Sequence, residues 1–403
     1  MQKPFSVLIN NSSDAVSYMV NEIAHICRDM KKRAPGTEGE REAAEYMAEV
    51  LRNDCGCDEV TIESFKEHPD VFWGYFYFSM TFDVLCALTF FISPALSILF
   101  GGLALFIFVF HFLMYRQILD PLFPEKTGTN VTAVRRCTGE VKRRVFLNGH
   151  IDAAWEFPLN YRFGGIVFEI PGVMALIGVL FYISISIISL TSGPAWTGTA
   201  AKFGLFFMPF FILVAKTYEP KTIVDGANDN LTGCYMGISL LRQMEKHGIT
   251  LENTELGVIL TGSEEAGLKG AKAWCKTHKD DYKDVPTYIV CFDTIHDPRY
   301  LMVNERDLNG TVKADPELSR VFFNAAEHVK VPCRRGWVPP FGGSTDSAAF
   351  TQGGFRSVGI TGLNHVLEDY YHTRKDTPDN LDIQGIDNCY KATVAMISIM
   401  GGS

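Results

Sequence analysis

The chain opens with two stretches of helical periodicity, about Asp14 to Lys32 and Glu38 to Arg52. In the second, Ala43, Ala44, Met47, Val50 and Leu51 share one face, the apolar stripe of a helix laid on a core. Between them Arg33-Ala-Pro-Gly-Thr-Glu-Gly reads as a turn, with Thr37 and Glu40 in capping-box register. Asp58 to Phe65 then changes to the alternation of a strand.

From about Val71 to Tyr115 the pattern is almost wholly apolar. It breaks at Ser93-Pro94 into two pieces of about 20 residues, each long enough to cross a hydrocarbon core as a helix. Asp83 is the one acid inside the first piece, and Trp73, Tyr75, Tyr77 and Tyr115 sit near the outer ends, as interfacial aromatics do. A second apolar stretch runs from Ile166 to about Leu190. After a Gly/Pro/Thr-rich link comes Phe203 to Ala215, a short piece interrupted by Pro209 and expected to be tilted, re-entrant or interfacial. Buried helices of a soluble core are the alternative, but their length and near absence of charge oppose it.

The remainder alternates regularly. Strands are expected at Asn130–Arg135, Val141–Gly149, Leu256–Thr261, Tyr288–Phe292 and Ser357–Thr361. Helices are expected at Leu231–Lys246, Leu268–Thr277, Pro316–His328 and Ile386–Met400. Such alternation predicts an α/β fold with a mixed, mostly parallel central sheet flanked by helices. The catalytic domain is assigned to 1–67, 124–160 and 217–403, with hydrophobic hairpins inserted at 68–123 and 161–216.

Composition adds a little. The 403 residues are 47% hydrophobic and 21% charged, with a net charge of −9, which argues against a nucleic-acid partner. The ten cysteines are scattered with no Cys-x-x-Cys pair, as reduced core thiols are. The amino terminus shows no charged-then-apolar run ending in a cleavage site, so no signal peptide is expected.

Chemistry gathers where strands end. Val145-Phe-Leu-Asn-Gly-His-Ile-Asp152 delivers His150 and Asp152 at the end of an apolar run. Asp225-Gly-Ala-Asn-Asp-Asn-Leu-Thr-Gly233 is a polar turn opening a helix, where Asp229 is either an ordinary cap or a carboxylate able to bridge two cations. Leu256 to Gly267 ends in Glu264 and Glu265, two adjacent acids that are costly together unless a positive charge or a proton sits between them. Tyr288 to Phe292 ends in Asp293. The loop Glu368 to Pro378 carries His372. Each signal is weak alone. Together they bring two histidines and three carboxylates to one sheet edge, a mixed nitrogen and oxygen set suited to two zinc ions or other divalent first-row metals.

The order His-x-Asp, Gly-Ala-x-Asp-Asn, Ser-Glu-Glu, Asp, His-Thr-x-x-Asp-Thr resembles the co-catalytic di-zinc aminopeptidases of peptidase family M28. The resemblance covers roughly Thr37–Phe65 and Asn130–Met400 and leaves out the insertions. It implies the zinc-aminopeptidase fold, with one metal on His150 and Asp293, the other on Glu265 and His372, and Asp229 bridging. It also implies Glu264 as general base and Asp152 as the group that orients His150. Asp346, in a loop worded differently from the family's, resembles an acid near the site. Tyr371 and Trp155 are placed at the substrate mouth, although Trp155 and Phe157 read equally well as core.

These readings make the chain a membrane-associated zinc peptidase, expected to remove amino-terminal residues from peptides, including hydrophobic or lipid-linked ones. An amidase of N-acyl amino acids and a non-enzymatic membrane scaffold are the alternatives. A glutaminyl-cyclase-like reaction fits less well, because that branch works with one metal. If Asp58–Phe65 pairs antiparallel with Asn130–Arg135, both hairpins leave the sheet beside the mouth that His150 marks. Lys66, Arg116, Lys126, Arg162, Lys216 and Lys221 flank the hairpins on the catalytic side, which places that domain in the cytoplasm. The expected partners are a peptide or amide substrate, the bilayer, and a second copy packed through the hairpins.

Overall fold

The computed structural model describes residues 3–364 and 368–401. Met1 and Gln2, where the sequence was expected to carry no signal peptide, lie outside the described range.

Strand β1 is Glu59–Glu67, β2 Lys126–Arg135, β3 Arg143–His150, β4 Trp155–Glu156, β5 Glu219–Ile223 and β6 Thr254–Thr261. Strand β7 is Thr287–Ile295, β8 Met302–Asp307, β9 Val312–Lys313, β10 Arg334–Trp337 and β11 Arg356–Gly362. All but β4 and β5 form one mixed sheet in the order β1-β2-β6-β3-β7-β11-β8-β10, with β9 on β8. The central strands β6, β3, β7 and β11 are parallel, so their carboxyl ends share one edge. Their continuous apolar sequence follows from burial on both faces. Val145 and Leu147 of β3 pack into the layer of helices Ser12–Asp29, Glu38–Asp54, Thr232–Lys246, Pro316–His328 and Ile383–Gly401. Phe146, between them in sequence, packs into the opposite layer with helices Lys269–His278 and Asp346–Gln352.

Strand β1 pairs antiparallel with β2, from Glu59 opposite Val134 to Glu67 opposite Lys126. The turn at Thr138-Gly139 does not return β3 onto β2. Strand β6 lies between them, antiparallel to β2 and parallel to β3. Because β6 takes β3's direction, β1 and β3 still end at the same edge.

Among the described residues, four helices are long and apolar enough to cross a membrane: Val71–Thr89, Pro94–Leu113, Gly165–Thr191 and Trp196–Val214. They pair as two hairpins and pack on one another around Tyr75, Phe76, Val179, Tyr182 and Phe211. The last corrects the sequence reading, because the helix starts at Trp196 and not near Phe203. Pro209 lies in the first turn of its terminal segment, where its missing N–H costs no hydrogen bond. The apolar faces turned outward are extensive, with Ile92, Ile166 and Phe203 each at least 75% exposed, far beyond scattered surface apolar residues.

Candidate metal centre and active site

The site is built from the parallel-strand ends and two loops. Strand β3 ends at His150, and its Nδ1 lies 3.2 Å from the Asp152 carbonyl oxygen and 3.4 Å from Asp152 Oδ1. Asp152 is fully buried and does a second task that the sequence did not disclose. Its two oxygens accept the backbone N–H groups of Glu264 and Glu265, each at 3.0 Å, and so set the turn carrying both acids.

Asp229 lies in the turn after Gly226, whose left-handed backbone (φ +60°) suits glycine. The Asp229–Asn230 peptide is cis. Asp376 holds this turn, accepting from the N–H of Asn228 at 2.8 Å, from Asn228 Nδ2 at 2.8 Å and from the N–H of Asp229 at 3.1 Å. Asn230 fastens the turn to β7 by donating to the Phe292 carbonyl at 2.8 Å. Arg33, 1% exposed, ties it to β3 by donating to the carbonyls of Ile151 and Gly226. Ser263, Thr294 and His372 adopt positive φ of 51–54° without being glycine. Such backbone is uncommon and gathers where side chains must be aimed.

These loops make the donors converge. Asp229 Oδ1 lies 3.2 Å from His150 Nε2, and Asp229 Oδ2 lies 3.2 Å from His372 Nε2. Glu265 Oε1 is 3.1 Å from His372 Nε2, and Glu264 Oε2 is 3.9 Å from His150 Nε2. His150 with Asp229 and Asp293, and Asp229 with Glu265 and His372, each place their ligand atoms within 4.8 Å of one another. A third overlapping group joins His150, Glu264 and Glu265. His150 Nε2 and Glu265 Oε1 are buried with no hydrogen-bond partner, so these contacts are close without being aligned as hydrogen bonds. Atoms aimed at a shared centre rather than at one another fit bound metal, and the donor types fit zinc.

The electrostatics agree. Burial lifts the Glu264 carboxyl well above the usual range; His150 opposes this, and Asp293, Asp346 and Glu265 add to it. Burial also lifts Asp293 to about 8, with Asp229 adding to it. Burial works against charge on His372, yet Glu265 and Asp229 carry it up to about 10. Acids crowded this closely in a buried pocket favour a bound cation.

Of the remaining sequence candidates, Asp346 is buried and accepts from the Thr261 hydroxyl at the end of β6. The Tyr371 ring stacks on His372 with centroids 4.2 Å apart. Trp155 is buried in the apolar cluster of the hairpins and paired through β4 with Ile223 of β5. Phe157 reaches the site, its ring 4.5 Å from His372 and its N–H donating to the His372 carbonyl. The residues that sequence reasoning missed are Asp376, Arg33 and Trp73. Asp376 stood inside the His-Thr-x-x-Asp motif, a signal that was available. Arg33 and Trp73, whose indole N–H donates to the Glu265 carbonyl, act through backbone carbonyls, which leave no trace in a motif.

The sequence model of Peptidase family M28 matches residues 213–397. That segment is similar to peptidase family M28. Among solved structures, a glutaminyl cyclase of Fimbriiglobus ruber superposes with a TM-score of 0.58 at 13% identity, covering 95% of each chain. A zinc aminopeptidase of Bacillus subtilis gives 0.56 at 12% identity, covering 96% of this chain and 95% of that one. A Zn-dependent exopeptidase of Parabacteroides distasonis gives 0.54 at 12% identity, covering 96% and 97%. Identities this low establish the zinc-aminopeptidase fold rather than an activity. No significant match was found among curated protein sequences. The family match and the donor set make the chain similar to zinc peptidases.

Proposed function

We propose that the protein is a membrane-anchored, di-zinc aminopeptidase whose catalytic domain faces the cytoplasm. The carrying observation is Asp229, whose two oxygens each face a different histidine, His150 and His372. One carboxylate shared in this way is what two adjacent cations require. His150 and Asp293 would hold one zinc, Glu265 and His372 the other. Zinc held here supplies Lewis acidity toward the scissile carbonyl and toward water. Glu264, beside the pair, takes a proton from the attacking water and gives it to the leaving amine. Its raised pKa suits a group that must hold that proton between the two steps. Asp152 keeps the Glu264 turn and the His150 ring in place. Tyr371 and Asp346 border the space left for substrate.

The four apolar helices support the anchored reading, and both hairpins depart from the edge that bears the site. This placement suits peptides carrying a hydrophobic or lipid-linked group. Glutaminyl cyclases share the fold, and an N-acyl amidase would use the same metals, so the test must separate three reactions. Zinc-loaded protein in detergent is offered matched peptides with free, acylated and glutaminyl amino termini, beside Glu264→Gln. Cleavage of free-amine peptides alone, lost in the variant, supports the aminopeptidase. Cleavage of acylated peptides moves the assignment to an amidase, and ring closure of the glutaminyl peptide without hydrolysis moves it to a cyclase. Release of the protein from vesicles by alkaline carbonate would refute the anchor.

A further inference from the structure

We infer that the loop Trp337–Gly343 of the catalytic domain is itself a membrane contact, dipping into the headgroup and acyl boundary beside the site mouth. The inference rests on the reading of the hairpins as membrane-spanning. It assigns to the bilayer a surface that lies far from them in sequence.

Two large aromatics stand open on this loop, Trp337 at 57% and Phe341 at 61% exposed, with Pro339-Pro340 between them. An exposed aromatic alone means little. Its depth is what matters here. The Phe341 ring lies nearly parallel to that of Phe108, with centroids 6.1 Å apart and an interplanar angle of 18°. Phe108 is five positions inside the end of the apolar helix Pro94–Leu113. At helical rise that is roughly 7 Å along the span, within the depth of about 5–10 Å reached by interfacial segments. The neighbours of Phe108 on that helix, Phe106 and Phe110, are 51% and 39% exposed, so Phe341 extends an outward apolar surface and does not seal one.

The loop is held at this height. Asn309 Oδ1 accepts the Phe341 N–H at 2.8 Å, and Asn309 Nδ2 donates to the Leu113 carbonyl at 2.8 Å. One side chain thus locks the loop tip to the last turn of the hairpin. Behind the tip, the Arg306 guanidinium lies over the Trp337 ring at 5.0 Å, and Arg334 and Arg335 stand exposed on the same strand. Aromatics with arginines behind them match the order of acyl boundary and phosphate layer. The loop then returns to the site. A side chain built on Gly343 would begin 3.8 Å from Tyr371 Oη, and Tyr371 stacks on His372. A bilayer touching Phe341 therefore borders the mouth, and substrate reaches it from the interface.

The test uses the full chain in phosphatidylcholine vesicles, with and without bromine on the lipid acyl chains near the boundary. Phe341→Trp should add emission that the brominated lipid quenches and that aqueous iodide leaves largely intact. Trp337→Phe should remove part of the lipid-quenched emission. Quenching of the added emission by iodide, and not by bromine, overturns the inference. Wild-type protein carries Trp196 on the fourth apolar helix as an internal reference. If its emission also escapes the bromine, the membrane reading fails with it; if only the loop escapes, the loop inference fails alone. In kinetics, Phe341→Ser should raise KM at least 5-fold for a peptide anchored in the vesicle and leave kcat and KM for a short soluble peptide unchanged. Equal effects on both substrates would remove the mouth from the interface.

Discussion

The indole N–H of Trp73 donates to the backbone carbonyl of Glu265 at 3.0 Å. Trp73 belongs to the first apolar helix, and Glu265 is a candidate metal ligand. Its ring also packs edge-on against Phe157 at 5.0 Å and His372 at 6.2 Å. The hairpin is therefore part of the wall that shapes the site. Trp73→Phe keeps most of the ring and deletes the donor. A hydrogen bond of this kind is worth about 1 kcal/mol, so zinc affinity and kcat/KM should each fall roughly 5-fold, with the protein still folded. Metal titration with kinetics in the same detergent measures both. Unchanged values would mean that the hairpin only anchors.

Glu264 and Glu265 are neighbours with different tasks. Glu264→Gln should retain its zinc and lose about 10²–10⁴-fold in kcat, the usual worth of a general base. Glu265→Ala should lose one zinc outright. Metal analysis of both proteins beside their rates decides the matter, and the reverse pattern would exchange their roles.

Asp376 carries no ligand atom in any of the three metal groups, yet it braces the turn of Asp229 through three donors. Asp376→Ala should weaken zinc binding about 10–100-fold, the typical cost of losing such a brace. Calorimetric zinc titration at fixed pH would show it. An affinity equal to wild type would leave the cradle to Asn230 and Arg33.

Glu67 lies behind the site and accepts from the Ser263 hydroxyl at 2.6 Å. Burial pushes its carboxyl up to about 8; the Ser263 bond opposes this and Asp152 adds to it. A carboxyl raised in the folded state binds its proton more tightly there than when unfolded. Its contribution to stability is full below its ordinary value near 4.5 and is lost as pH rises through about 8. Metal-free protein should therefore melt at a lower temperature at pH 8.5 than at pH 5, and Glu67→Gln should narrow the gap. A gap of the same size in the variant would rule Glu67 out as its source.

Most of the sheet was legible because its central strands are buried on both faces and leave long apolar runs. The edge was not. Strands Met302–Asp307 and Arg334–Trp337 contain Asn304, Glu305, Arg306, Arg334 and Arg335, whose polar sequence resembles a loop until a neighbour supplies its hydrogen bonds. The fourth apolar helix was cut short because Gly198, Thr199 and Lys202 read as linker. In the site, His150, Asp229, Glu264, Glu265, Asp293 and His372 could be picked out because their chemistry demands particular residue types. That Asp152 supports the Glu264 turn was not readable, since a carboxylate accepting two backbone N–H groups makes no demand on the residues that own them.

The second hairpin divides the site in the order of synthesis. His150 is made before it, and Asp229, Glu265, Asp293 and His372 come after it. A nascent chain that has reached only the second hairpin holds one of the five candidate ligands. The remaining four can meet His150 only once Gly165–Thr191 and Trp196–Val214 have folded back on each other and returned the chain to the same sheet edge. On the proposed function, competence to cleave is acquired late, after the apolar helices have found their place. A chain stalled on the way there has an incomplete candidate site, so the proposed peptidase would not be loose in the cell before it is anchored.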